Sequence, residues 1–532
     1  MRRIIYLIHR WTGICMCALM ALWFVSGVVM LFVGYPKLTP TERLAALPPL
    51  PLPLSAGAGC CVAPARALAL SAAPAAVQTL TLTSIGSRQQ YVLLEGDGRY
   101  TTVDAVSGAR TYGADPAGRF GAAGASGPPG ASAASAASGP PGVFVPPAAL
   151  AAAAMFKPGA GAHYAGLIAE DRWTHSRALN PHRPLHVVDL DDDASTRVYV
   201  SSATGQVVLD APRAERYWNF VGAWLHWLYM IRQQHTDPLW TWTLIGLSAV
   251  GVLSAVTGLV NGVWRWRFVG RYKSGQRTPY RERYMRWHHL LGLAFGAVLC
   301  TWVFSGLMSM NPLNIFSARG AHPDMLAMQG GSPASLRLPQ TVGQVLARLR
   351  AGSFAPRELE WRVFDGVPFI LARDGANDTR IVIAGPAADG LRVLPVWPRA
   401  ALERAATRLL PDKVASFEML SRHDAQYYAR EDASMYGGNE RRLPALRAVF
   451  ADREQNWVYL DPRTGQVALA VDRTQRLGRW LFNFLHSWDL PVLLTPAWPR
   501  EAVLIALSIG GLLLSATAMV IGLRRLRPGN RR

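Results

Sequence analysis

The chain has 532 residues, of which 50% are hydrophobic and only 17% charged, with a mean hydropathy of +0.12. It is too apolar for a disordered protein and too polar for a bare helical membrane bundle, so a membrane protein with sizeable water-soluble parts fits both numbers. The formal charge of +20 does not by itself point to nucleic acid, because its meaning depends on where the basic residues lie.

In chain order, four uncharged apolar stretches stand out: Trp11–Val33, Leu239–Trp264, Leu290–Asn311 and Ala502–Leu523. Each is long enough to cross a hydrocarbon core of about 30 Å at about 1.5 Å rise per residue. The first is too long for the apolar core of a cleaved signal peptide and lacks a following small-residue cleavage site, so it is expected to remain as an anchor. The resulting division is as follows. Residues 1–34 hold an N-terminal segment and the first span, 35–216 a first soluble domain, 217–238 an aromatic histidine segment and 239–264 the second span. A basic loop (265–288) leads to the third span (289–311), a second soluble domain (312–478), another histidine segment (479–501), the fourth span (502–523) and a basic tail (524–532).

The charges sort along this division. Arg2, Arg3 and Arg10 precede the first span, eight basic residues from Arg265 to Arg286 separate spans two and three, and Arg524, Arg525, Arg527, Arg531 and Arg532 follow the fourth. Only one acid, Glu282, lies among them, so these segments carry +15 of the total. By the positive-inside rule they are cytoplasmic, with both termini inside and both long loops outside, which in a bacterial inner membrane means the periplasm. The charge then records orientation and contact with anionic membrane lipids, and calls for no nucleic acid.

Composition also shifts between the spans. Residues 121–163 are mostly Ala, Gly, Ser and Pro and read as a flexible insertion, and residues 45–76 are similarly rich in Ala and Pro. The alternating segments 99–110, 197–208 and 456–469 read as β-hairpins with Ser-Gly or Thr-Gly at the turn. Cys15, Cys17 and Cys300 lie within spans as small apolar residues, and the adjacent Cys60 and Cys61 suit no ordinary disulfide. With no Cys-x-x-Cys-His, covalent c-type haem is not expected.

The chain also repeats itself. His9–Gly27 aligns without gaps on His288–Gly306, matching His9 with His288, Gly13 with Gly292, and Trp23-x-x-Ser26-Gly27 with Trp302-x-x-Ser305-Gly306. VYVSSATGQV (198–207) matches VYLDPRTGQV (458–467), and Trp224-Leu225-His226 matches Phe484-Leu485-His486. Each half is thus span, soluble domain, histidine segment, span, and the halves are parallel repeats expected about an axis along the membrane normal. Equivalent residues then share a depth: His9 and His288 near the cytoplasmic side, His226 and His486 near the periplasmic side. Two imidazoles facing each other across a four-helix bundle hold a b-type haem through its axial positions, so His9/His288 and His226/His486 are the expected ligands of two haems. Gly13 and Gly292, one turn beyond the first pair, leave room for a flat ring.

Other histidines fit less well. His289 has Arg10 as its counterpart and points about 100° away from His288 on a helix, while His235 has no counterpart. His163, His175, His182 and His186 form a loose group whose spacing selects no metal, and Asp189 with Asp191–Asp193 reads as a solvated hairpin turn. Met308, Met310, Met325 and Met328 read as packing. GxGxxG, Walker A, HExxH and GxSxG are all absent from the sequence, so nicotinamide, flavin, ATP and hydrolase chemistry have no visible home.

RWHHLLGLAFGAVLCTWVFSGLMSMNP (286–312), HDAQYYAR (423–430), VYLDPRTGQV and RWLFNFLHSWDLP (479–491) together resemble the PepSY-associated transmembrane family, the PepSY-domain or iron-regulated membrane proteins of bacteria. The resemblance covers both halves outside the Ala/Gly/Pro-rich insertions. It implies an α+β membrane protein with four spans and two periplasmic PepSY-like domains. Some members are siderophore reductases holding two haems through transmembrane histidines, which implies electron transfer from a quinol or other donor to a periplasmic ferric chelate such as a ferric siderophore. Two other functions stay open: a PepSY-based regulator restraining a periplasmic peptidase, and a haem-free component of an iron-uptake transporter.

Overall fold

The structure, a computed structural model, describes residues 1–51, 61–71, 73–113, 146–232, 237–331, 341–385, 390–438 and 440–527. Four helices are long and apolar enough to cross a membrane: α1 (Arg2–Phe32), α2 (Pro238–Arg265), α3 (Arg283–Ser309) and α4 (Trp498–Leu526). Local chemistry sets their starts. Asp237 accepts from the Trp240 amide with Pro238 at the first helical position, and Glu282 accepts from the Met285 amide. The helices therefore start before the expected spans, and α3 begins inside the expected loop, so His288 is a helical residue.

The bundle has the polarity of a lipid-facing object. Phe32, Val250, Leu253, Ile509 and Leu513 are exposed, while Ser26, Ser248, Gly251, Ser254, Ser508 and Ser515 are buried. Small residues let the helices approach closely. A Cβ built on Gly511 of α4 would lie 2.1 Å from Phe24 of α1, and one on Gly251 of α2 would lie 2.9 Å from Val303 of α3. α1 packs on α2 and α4, and α3 packs on the same two, which places α1 and α3 across the bundle from each other. At one end Arg265 lies over the Tyr6 ring and Arg524 pairs with Glu282 at 3.0 Å, so the N-terminus, the basic loop and the C-terminal end of α4 share one side.

Between the spans the described residues form three antiparallel sheets. In the first half, β1 (Thr79–Ile85), β2 (Arg88–Leu94), β3 (Tyr100–Asp104) and β4 (Arg110–Gly113) form one meander, and β5 (Gly161–Ile168), β6 (Leu185–Asp191), β7 (Arg197–Ser201) and β8 (Val207–Ala211) another. The second half repeats this with β9 (Glu358–Phe364), β10 (Val367–Arg373), β11 (Thr379–Ala384) and β12 (Leu391–Leu394), then β13 (Val414–Leu420), β14 (Ala445–Phe450), β15 (Trp457–Asp461) and β16 (Gln466–Val471). The three expected hairpins are β3–β4, β7–β8 and β15–β16.

Two expectations from the sequence require correction. The soluble modules of the two halves are not separate: β1 pairs with β9, Leu80 opposite Trp361 and Leu82 opposite Leu359, to give one eight-stranded sheet. Glu358 pins the joint, accepting two hydrogen bonds from Arg43 at 2.5 and 2.8 Å and one from Thr83 at 2.8 Å. Leu80, Leu82, Tyr91 and Leu93 share a core with Leu359, Trp361 and Ile370 under the helix Val342–Ala351, each aliphatic side chain contributing about 1.5–3 kcal/mol on burial.

The Ala/Gly/Pro insertion is also shorter than 121–163. Pro146–Phe156 is a helix whose Ala149, Ala152 and Ala153 are buried against Val188, Val198 and Val200, and β5 follows it. Alanine is the best helix former, and its small side chain lets the helix lie close to the sheet. Residues 121–145 lie outside the described residues.

Candidate functional site

Each histidine segment begins as a short helix, Arg213–Asn219 or Arg473–Arg479, and then widens into a π-helical turn, Phe220–Trp224 or Trp480–Phe484. The histidine follows two residues later, and two residues beyond it the backbone enters the left-handed region, at Leu228 (φ 50°) and Trp488 (φ 50°). A π-turn rotates the residues after it relative to an α-helix, a device common at functional sites. Here it delivers His226 against α1 and His486 against α3.

The structure brings the four predicted histidines into two pairs. His9 of α1 and His288 of α3 face each other with ring centroids 6.2 Å apart and planes inclined by 30°. His226 and His486 have centroids 6.3 Å apart and planes inclined by 80°. Ser26 and Ser305, which contact the second pair, follow His9 and His288 by 17 positions each, or about 25 Å along the helices at about 1.5 Å per residue.

Hydrogen bonds fix the orientation of all four rings. His226 Nδ1 lies 3.0 Å from Ser26 Oγ, whose own hydroxyl donates to the Leu22 carbonyl at 2.7 Å, so the serine oxygen accepts from Nδ1–H. His486 Nδ1 lies 3.0 Å from Ser305 Oγ, which donates to the Trp302 carbonyl at 2.9 Å. His288 Nδ1 lies 3.2 Å from Thr517 Oγ1, which donates to the Leu514 carbonyl at 2.7 Å. His9 Nδ1–H donates to the Ser254 carbonyl at 3.0 Å, a partner that can only accept. Each Nδ1 therefore carries the proton and each Nε2 presents a lone pair, the state of a metal-ligating imidazole. The Trp23 indole adds a bond to the His226 carbonyl at 3.0 Å.

Each pair lines a cavity. The upper one has about 1190 Å³ of atom-free space including its mouth, with His226, His486, Gly27, Gly306, Trp302, Phe482 and Arg430 among its walls. The lower one, about 1210 Å³, is lined by residues including His9, His288, Gly13, Gly292, Gly258 and Arg10. Met20 and Leu299 line both, so the cavities adjoin through the middle of the bundle. Glycine keeps them open: a Cβ on Gly258 would lie 2.6 Å from His9 Cε1, whereas Gly13 and Gly292 have nothing nearer than 3.7 and 3.8 Å.

The remaining candidates are engaged elsewhere. His289 hydrogen-bonds Thr278 Oγ1 at 2.8 Å and the Gly262 carbonyl at 2.8 Å, using both nitrogens away from His288. His163 pairs with Asp191 at 2.6 Å and His175 with Glu170 at 2.5 Å, while His186 meets Tyr164 at 3.0 Å. His182 stacks on Tyr100 at 4.9 Å, and burial lowers its pKa to about 4. Asp189 is held by Arg197, and Asp192 by Thr196 and Lys157. His235 and Cys60 lie outside the described residues.

Ser26, Ser305, Thr517, Gly258, Arg10 and Arg430 were not identified as functional from sequence. The repeated Trp-x-x-Ser-Gly motif held the signal for the two serines: its serine accepts from the histidine and its glycine sits beside the ring, with Cβ positions 3.9 and 3.8 Å from the two Cε1 atoms.

Residues 6–347 match the family model described as the PepSY-associated TM region. No curated protein matches the chain.

Proposed function

The chain belongs to the family defined by the PepSY-associated TM region, and on that premise we propose that it is a two-haem electron-transfer protein of the bacterial inner membrane. His9 and His288 hold the cytoplasmic-side haem, and His226 and His486 the periplasmic-side haem. The carrying observation is the spacing of the pairs. An imidazole nitrogen bound to a metal ion would lie about 2.0 Å from it, with the ring centre about 1.2 Å behind, so two rings holding one ion between them would have centroids about 6.4 Å apart. The separations of 6.2 and 6.3 Å support this, as do the hydrogen bonds that place the proton of each ring on Nδ1 and leave Nε2 with its lone pair.

A b-type haem in each cavity supplies a one-electron couple. The protein's own residues do the rest. Ser26, Ser305, Thr517 and the Ser254 carbonyl lock the ring tautomers. The offset of about 25 Å along α1 and α3 spaces the sites across most of a bilayer. Basic segments at one end of the bundle support cytoplasmic termini and periplasmic sheets. A quinol or other donor feeds the cytoplasmic side, and the acceptor is a periplasmic ferric chelate such as a ferric siderophore. Reduction of its iron to the ferrous state weakens hard oxygen ligation and releases it.

Haem stoichiometry tests the assignment. His9→Ala and His226→Ala should each remove about half of the haem, one site apiece. Full haem content in both variants contradicts it.

A further inference from the structure

The histidine pairs leave unexplained a set of buried arginines. Arg430, at the end of the His423–Arg430 segment, lines the upper cavity, and its side chain is only 6% exposed. Its Nη1 lies 3.5 Å from Ser487 Oγ and 3.9 Å from Asp489 Oδ2, its guanidinium stands over the Tyr436 ring at 5.4 Å, and its Nε meets no acceptor among the described residues. Asp489 cannot serve it fully. That fully buried carboxylate is 3.2 Å from Arg479 and accepts from the Tyr428 hydroxyl. Arg500 is a third buried guanidinium, 3.7 Å from Glu501, and its Nε is also unmatched.

The lower cavity has a weaker form of this feature, because Arg10 as a whole is half-buried. Arg10 lines it beside His9, its guanidinium packs over Trp11 at 4.9 Å, and its Nε is buried with no acceptor among the described residues. A guanidinium whose donors are only partly matched away from solvent carries a desolvation cost that a further anion offsets. The guanidinium fork matches a carboxylate in shape and charge.

We infer that each cavity is built for an apolar occupant bearing a carboxylate, received by Arg430 in the upper cavity and by Arg10 in the lower. The inference rests on the proposed function and deepens it. When the occupant is a b-type haem the carboxylate is a propionate, and a quinone or a hydrocarbon chain, having none, is not what the arginines are placed for. A fatty acid presents the same group on an apolar tail and is the other source of this chemistry.

The test uses the full-length protein in detergent, stripped of haem and titrated separately with haem and with haem dimethyl ester, which lacks carboxylates. The wild type should bind the diacid about tenfold to a hundredfold more tightly, the worth of a charge-assisted hydrogen bond. Arg430→Gln should abolish that preference at the upper site and Arg10→Gln at the lower, while Arg430→Lys retains part of it. Equal binding of acid and ester by the wild type overturns the carboxylate inference and leaves the haem reading standing. If neither is bound, native mass spectrometry of the purified protein decides. A fatty acid present in the wild type and lost in Arg430→Gln overturns the haem reading and supports the carboxylate, and its absence overturns both.

Discussion

Replacing Gly258 by alanine should disable the lower histidine pair while leaving the fold nearly intact. The added Cβ would lie 2.6 Å from His9 Cε1 and 2.8 Å from Nδ1, where carbon contacts settle at about 3.5–4.0 Å. The ring must therefore retreat by about 1 Å, and its bond to the Ser254 carbonyl, one turn earlier on the same helix, is lost. Overpacking costs about 1–3 kcal/mol, but the obstructing group is the end of a side chain beside a cavity, and the gain in helix propensity on replacing glycine returns up to about 1 kcal/mol. The net change in stability should be under about 2 kcal/mol, while metal affinity at this pair falls about tenfold to a hundredfold, as when a ligand loses its orienting partner. Haem titration and thermal unfolding of the variant provide the assay. Gly246→Ala, whose Cβ meets nothing within 4 Å, is the control. The loss should be shared with His9→Ala rather than added to it. A Gly258→Ala protein with a full lower-site signal and an unchanged spectrum refutes the reasoning.

Other outcomes follow from the same geometry. Ser26→Ala and Ser305→Ala each leave a buried Nδ1–H without its acceptor and should weaken the upper site about tenfold in haem titrations, sparing the lower. Gly13→Ala and Gly292→Ala meet only Ser254 Oγ at 3.7 Å and Leu514 at 3.8 Å, so thermal unfolding should be unchanged; a drop in haem content would show that the space they leave is filled by the cofactor. Burial, with neighbouring acids, raises Asp210 to about 6 and Glu215 to about 7. Because these folded-state values exceed the unfolded ones near 4, stability is fully present below about pH 4 and falls as pH rises through about 6 to 7. Glu215→Gln should flatten that decline in unfolding scans from pH 4 to 8, and an unchanged slope would count against the buried acid.

Parts of this were legible in the sequence because the physics is local or repeated. Apolar length fixes a span and basic flanks its sense, so the four helices were readable to within about ten residues at either end. The histidine pairs were readable because a repeat forces equivalent residues to one depth, which singled out four of the twelve histidines. What was not legible is non-local or compositional. Nothing near Leu80 announces that its partner is Trp361, since pairing between two edge strands leaves no periodic trace in either. Pro146–Phe156 was hidden because alanine-rich composition reads as linker until a sheet is there to pack on. The π-turns before His226 and His486 have no sequence signature, although they aim the rings. Arg430 is one arginine among many until burial removes its solvent.

The central claim is that the four histidines hold two haems. The most direct measurement is the reduced-minus-oxidised absorption spectrum of the purified protein from haem-sufficient cells, with haem counted per chain. Low-spin bis-histidine bands and two haems per chain are expected. Colourless protein, or a spectrum unaltered when all four histidines are replaced, contradicts it.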